Sequence, residues 1–231
     1  MVETDRAEEI EQRLAEVDAL RRRVVNVIPH ALRTPITTLG GLAMALSSAT
    51  EQQVREEIAP ALQRLAMQAE SLLDDMLIAA GMSTALPTER PVPTAVIPVA
   101  EEVWVSLGGE PPLVFTGDRT STASLPPGVL FKVLVHVLDN SIKYGEPPHG
   151  LSVEAADGGT LIQVTDRGEV TQADLTSAVE PFFRGERAVI AAPGLGVGLA
   201  VVAALLDQVG GHVAIESSGQ GTTVTLQVPR T

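Results

Sequence analysis

The chain has 231 residues, enough for one large domain or two small ones, and its 45% hydrophobic content excludes a disordered sequence. With 29 Asp and Glu against 16 Lys and Arg, the net charge of −13 repels a phosphate backbone; no basic stripe offsets it, and one Trp, one Tyr and four Phe leave little surface for base stacking. There is no cysteine, which excludes disulfides, thiolate catalysis and cysteine-ligated metal centres.

Met1–Arg23 is charged throughout and lacks the apolar core of a signal peptide. From Thr4 to Leu46 the pattern is helical: Ile10, Leu14, Val17, Leu20, Val24 and Val27 recur in steps of three and four, a heptad seam. Ser47-Ser48-Ala49-Thr50 is a turn with a cap, and a second amphipathic helix is predicted from Glu51 to Met82, with Val54, Ile58, Leu62, Leu65, Leu72, Met76 and Ile78 on its apolar face. Such a helical hairpin cannot bury its own stripe, and dimerisation into a four-helix bundle would cover it. Four prolines in Gly81–Pro98 mark a linker, so the predicted division is 1–82 for the hairpin, 83–97 for the linker and 98–231 for a second domain.

In that second domain Val99–Leu107 reads as a helix, Leu113–Phe115 as a short strand, and Gly128–Tyr144 as a helix burying Leu130, Val133, Leu134, Val137 and Leu138. Leu151–Ala155 and Leu161–Thr165 form a hairpin about Asp157-Gly158-Gly159. Gly196–Val209 is a further helix, and His212–Glu216 with Thr222–Val228 form a second hairpin. The expected fold class is an antiparallel helical hairpin followed by an α/β sandwich. Ala188–Leu206 carries no charge, but Pro193 and three glycines break it, so it reads as a glycine loop opening a buried helix rather than as a membrane span.

Within the first helix lies His30-Ala31-Leu32-Arg33-Thr34-Pro35, with Pro29 and Pro35 flanking the imidazole. Each proline removes a backbone hydrogen bond and bends the helix, at about 3 kcal/mol in an ordinary interior, so bends beside a titratable group suggest a purpose. The block resembles the phosphoacceptor box of histidine kinases. Further blocks follow in that family's order between residues 30 and 222: His136 to Tyr144 with Asn140 and Lys143, Asp166-Arg167-Gly168, Pro181-Phe182-Phe183-Arg184-Gly185, Gly194-Leu195-Gly196-Val197-Gly198, and Gly221-Thr222. They resemble the N box, the first glycine box, the F box and the second glycine box of a GHKL-type ATP-binding domain.

Physical chemistry is consistent with that resemblance. Gly194, Gly196 and Gly198 let backbone N–H groups approach phosphate oxygens at a helix start, and Lys143, Arg184 or Arg187 would add positive charge. Asn140 offers an oxygen to Mg2+, which favours oxygen ligands. The resemblance implies that Asp166 accepts from the adenine amino group with Thr222 in support, and that Tyr144 packs against the base. It also implies a lid over Arg184–Pro193, in-line transfer of the ATP γ-phosphoryl group to His30 beside Arg33, and onward transfer to an aspartate of a response regulator. Thr34 occupies the position from which many members orient water for dephosphorylation.

Three residues depart from the pattern. Ala31 stands where the family carries an acid that fixes the imidazole tautomer, and such acid–base help is typically worth ~10²–10⁴-fold. His136 replaces the first N-box asparagine, and imidazole is a poor ligand for magnesium. Val170 replaces a second glycine, where a β-branched side chain would crowd the backbone. The expectation is a cytoplasmic, homodimeric histidine kinase core that uses ATP and Mg2+. The rival is a dimeric phosphotransferase, phosphatase or adaptor for response regulators with little kinase activity; a GHKL ATPase without phosphotransfer would leave the His30 block unexplained. With the heptad helix starting near Met1, a sensor is expected on another chain or on the rest of a longer receptor.

Overall fold

The computed structural model describes residues 33–81, 90–156, 158–185, 188–189 and 194–229. They fall into two compact units divided between Met76 and Leu77.

Among its described residues the first unit holds helix α1 (33–46), followed by a turn at Ser47–Ser48. Thr50 then opens α2 with a reciprocal cap: its Oγ1 accepts from the Gln53 N–H at 3.2 Å, and its own N–H donates to Gln53 Oε1 at 3.0 Å. Helix α2 runs as Glu51–Gln53, widens to a π-helical stretch over Val54–Ile58 and continues as Ala59–Ala79. Pro60 gives the physical reason for the wide turn. It has no N–H for the Glu56 carbonyl and its ring crowds that oxygen, so the ladder opens to the Ala59 N–H → Val54 O bond.

The second unit opens with strand β1 (Val92–Ala95), inside the stretch that reads as linker, and helix α3 (Val96–Ser106) starts three residues before its expected Val99. Two of the prolines misled that reading because they sit where no N–H is needed: Pro93 in a strand whose one partner among the described residues is β3 (Thr122–Leu125), Pro98 in the first turn of α3. Next come β2 (Val114–Gly117), α4 (Pro127–Tyr144), β4 (Gly150–Ala156), β5 (Gly159–Asp166), α5 (Gln172–Ser177), α6 (Gly198–Asp207), β6 (His212–Ser218) and β7 (Gly221–Pro229).

The main sheet has the order β2-β4-β5-β7-β6, with β2 parallel to β4 and every other pair antiparallel. Strand alternation makes one face apolar: Leu151, Val153, Ile162, Val164, Leu226 and Val228 are buried, and Val153 pairs with Ile162, which pairs with Leu226. Against them lie α3, α4 and α6, whose Ile97, Val103, Leu130, Leu134, Leu138, Val201 and Leu206 are fully or nearly fully buried. The opposite face carries Ser152, Glu154, Gln163, Thr165, Thr223 and Thr225, so the unit is a two-layer α/β sandwich. Among the described residues no helix is long and apolar enough to cross a membrane. The uncharged stretch before Leu206 ends in α6, which is ten residues long.

Candidate nucleotide site

The end of β5, the end of α4 and the start of α6 meet at one edge of the sandwich. Asp166 is the last residue of β5, in register with Thr222 of β7. Its Oδ1 accepts from the Gly168 N–H at 2.8 Å and its Oδ2 from the Ser141 hydroxyl at 3.1 Å. The Thr222 hydroxyl donates to the Gly168 carbonyl at 2.6 Å, and Ser217, 3.2 Å from Thr222 Oγ1, accepts from the Val170 N–H at 3.0 Å. The loop after β5 is thus stitched to β6 and β7, and Arg167 N–H to Glu146 O at 2.8 Å ties it to the chain leaving α4.

Space around the carboxylate depends on glycine. A Cβ on Gly145 would lie 2.4 Å from Asp166 Cγ, and one on Gly168 would lie 2.8 Å from the Tyr144 carbonyl oxygen. Both glycines let backbone pack directly against the carboxylate, where any side chain would collide with it or with the neighbouring carbonyls. Burial pushes the Asp166 carboxyl above its usual value and the nearby Glu146 charge adds to that; the Gly168 N–H, the Ser141 hydroxyl and His149 oppose it. His149, buried beneath, is held below the ordinary imidazole value by desolvation, with Asp166 pulling the other way.

The second glycine segment faces α4. Gly196 has φ +68, a conformation side chains rarely adopt, and its carbonyl accepts from the Phe182 N–H at 2.8 Å, so the segment doubles back on the Pro181–Gly185 block. Added Cβ atoms would lie 3.3 Å from the Tyr144 hydroxyl at Gly194, and 3.4 Å from His136 Nδ1 and 3.7 Å from Asn140 Oδ1 at Gly198. Gly198 opens α6 without a side-chain cap, so the N–H groups of its first turn have no acceptor within the helix.

Asn140, Tyr144, Asp166, Gly168, Gly194, Gly196, Gly198 and Thr222 are thus drawn together around this edge. Lys143 is held by an ion pair with Asp139 at 2.5 Å, on a half-exposed part of α4. Arg184 donates from its guanidinium to the Ala188 carbonyl. Arg33 and Thr34 lie exposed on α1, in the other unit, where the Thr34 carbonyl accepts from the Thr38 hydroxyl at 3.0 Å. His30, Ala31, Arg187 and most of the expected lid lie outside the described residues. Val170, expected to crowd this loop, is half-buried with its N–H engaged by Ser217.

Sequence reasoning missed Ser141, Gly145, His149 and Ser217. Ser141 had a signal, being the polar residue that continues the buried stripe Leu134, Val137, Leu138 by one more turn. His149 and Ser217 had none, since long-range folding brings them in.

Residues 127–231 match the family described as histidine kinase-, DNA gyrase B- and HSP90-like ATPase. Among curated proteins, the chain is 29% identical to the sensor protein DivL of Caulobacter vibrioides over 94% of this chain and 29% of that protein. It is 27% identical to the sensor histidine kinase VxrA of Vibrio cholerae over 90% of this chain and 40% of the relative. With the sensor histidine kinase CssS of Bacillus subtilis the figures are 24%, 96% and 50%. The chain therefore spans half or less of the length of these relatives. Among solved structures, full-length ShkA in complex with AMPPNP superimposes with TM-score 0.58 at 25% identity, covering 87% of this chain and 44% of that one. The histidine kinase AdeS of Acinetobacter baumannii shares the fold, with TM-score 0.56 at 21% identity over 87% of this chain and 97% of the other.

Proposed function

From the premise that residues 127–231 form a domain of the histidine kinase-, DNA gyrase B- and HSP90-like ATPase family, in a chain similar to sensor histidine kinases over nine-tenths of its length, we propose that this protein is an ATP-dependent histidine kinase core. It transfers the γ-phosphoryl group to His30 and passes it to an aspartate of a response regulator, in the cytoplasm, as a homodimer. The observation that carries this reading is the Asp166 carboxylate, fixed as an acceptor by the Gly168 N–H and the Ser141 hydroxyl and packed directly against the glycine backbones of residues 145 and 168.

Asp166 accepts the adenine amino group, Thr222 holds the Gly168 backbone that supports the carboxylate, and Tyr144 flanks the base. Gly194, Gly196 and Gly198, with the uncapped start of α6, direct N–H groups at the phosphates. Arg184 and Arg187 answer phosphate charge from the lid, and Lys143 does so on leaving Asp139. Asn140, whose Oδ1 lies beside Gly198, would offer Mg2+ an oxygen ligand; no group of three His, Cys, Asp or Glu that could hold a metal exists among the described residues. Mg2+ bound there would neutralise phosphate charge and align the γ-phosphoryl group for in-line transfer. Most of the rate comes from such positioning, with neutral His30 as the nucleophile. Thr34 orients water for the reverse, dephosphorylating reaction.

Dimerisation is supported by the hairpin itself, where Ile36, Met44, Met67 and Leu73 are 62%, 77%, 65% and 47% exposed in the single chain. A second reading, a phosphotransferase, phosphatase or adaptor with little kinase activity, is favoured by Ala31 and by His136 at the Gly198 contact. One experiment separates them. Incubation with radiolabelled Mg·ATP is expected to leave acid-labile, base-stable phosphate on the wild type and none on His30→Ala. Ala31→Glu is expected to raise the labelling rate, by up to about 10²–10⁴-fold. Absence of label from folded, dimeric wild type and Ala31→Glu alike would establish the second reading instead.

A further inference from the structure

Behind Asp166 lies a polar pair that the proposed reaction does not use. Ser141 is 4% exposed and His149 is 3% exposed. Ser141 Oγ lies 2.9 Å from His149 Nδ1 and 3.1 Å from Asp166 Oδ2, and the imidazole packs against Trp104 of α3 with ring centroids 5.2 Å apart. A buried histidine and serine in an otherwise apolar layer cost stability unless they are bonded, and here each is bonded toward the carboxylate.

The hydroxyl has a single proton. Donated to Asp166, it leaves Oγ as an acceptor, so His149 must present Nδ1–H. The chain of bonds therefore has a direction, Nδ1–H to Oγ and O–H to Oδ2, that matches an ionised carboxylate. Protonation of Asp166 on Oδ2 reverses it: the acid donates to Oγ, the hydroxyl donates to Nδ1, and the imidazole carries its proton on Nε2.

We propose that Ser141 and His149 are positioning residues for base recognition: the imidazole sets the direction of the Ser141 hydroxyl, and the hydroxyl holds Asp166 oriented as an acceptor, which an adenine amino group needs and a guanine carbonyl does not. The proposal rests on the reading of Asp166 as the adenine acceptor. Burial and Glu146 oppose the charge of Asp166, while the Gly168 N–H, the Ser141 hydroxyl and His149 favour it. On the imidazole, burial and the Asp166 charge act in opposite directions, and α3 presents the uncharged Trp104. Loss of the hydroxyl removes one of the groups that favour ionised Asp166, so adenine binding then fails at a higher pH.

The test is calorimetric titration of Mg·ADP and Mg·GDP from pH 5 to 8, with folding of each variant checked by thermal melting and by the fluorescence of Trp104, the chain's one tryptophan. Ser141→Ala is expected to weaken ADP binding about 5- to 10-fold near neutral pH, to move the acid limb of the profile to higher pH and to lower the preference for ADP over GDP. His149→Leu should act in the same direction, His149→Asn should restore the donor at the Nδ1 position, and His149→Leu should add nothing on top of Ser141→Ala. Profiles parallel to wild type, or additive losses in the double variant, overturn the proposal; if His149→Leu does not fold, the acid limb of Ser141→Ala still decides. Asp166→Asn separates the two levels. If it binds ADP as wild type does, or if wild type binds none, the adenine reading falls and the proposal with it; if it abolishes binding while Ser141→Ala keeps the wild-type profile, only the proposal falls.

Discussion

His149 and Asp166 share the Ser141 hydroxyl, and burial displaces their pKa values in opposite directions. A depressed imidazole means that the folded state binds fewer protons than the unfolded chain, so stability is lost as pH falls through the ordinary histidine range toward the folded value. A raised carboxyl means that the folded state holds a proton the unfolded chain has released, and the stability from that proton is lost as pH rises through the folded value of Asp166. Between about pH 7 and pH 5, the ordinary histidine range, comparison with His149→Asn isolates the histidine, because Asp166 is present in both proteins. Wild type is therefore expected to lose stability relative to His149→Asn across that window, measured by urea denaturation; parallel curves would show that His149 titrates as it would in water. Asp166 was legible in the sequence because a motif surrounds it. Its partners were not, because a hydrogen bond between residues 141 and 166 leaves no local spacing to read.

Among the elements, long periodic segments were read nearly in full: α2 and α4 begin and end within three residues of expectation. Their apolar residues repeat over many turns, and caps mark their starts. Thr50 is such a cap, and Thr50→Ala is expected to lower stability by about 1 kcal/mol, seen as an earlier thermal transition of the first unit, while Mg·ADP affinity is unchanged. Of the short elements, four-residue β2 was read to within two residues, but three others were missed. Four-residue β1 and β3 hide between prolines, and six-residue α5, capped where the Asp174 N–H meets Thr171 Oγ1 at 3.2 Å, has too few turns for a period. The π-helical turn before Pro60 also escaped, since an amphipathic pattern fixes a helix's buried face better than its ladder.

At the scale of the whole molecule, two units with different means of burial predict two independent responses to heat. The second unit closes its own core between one sheet face and three helices, whereas the hairpin leaves large apolar side chains exposed in the single chain. Differential scanning calorimetry is expected to show one transition that rises with protein concentration and another that rises with Mg·ADP, because each ligand stabilises only the unit that binds it. A single transition moved by both would show that the units unfold together. The sequence by itself determined where the long helices and the two β-hairpins lie, because periodicity, caps and turn residues are local properties, and it supplied the candidate residues of the proposed site. Only the tertiary structure decided that Pro93 lies in a strand, that Lys143 pairs with Asp139, and that a buried serine and histidine stand behind Asp166. Those facts depend on which distant segments meet when the sheet buries its apolar face, and no local pattern encodes such meetings.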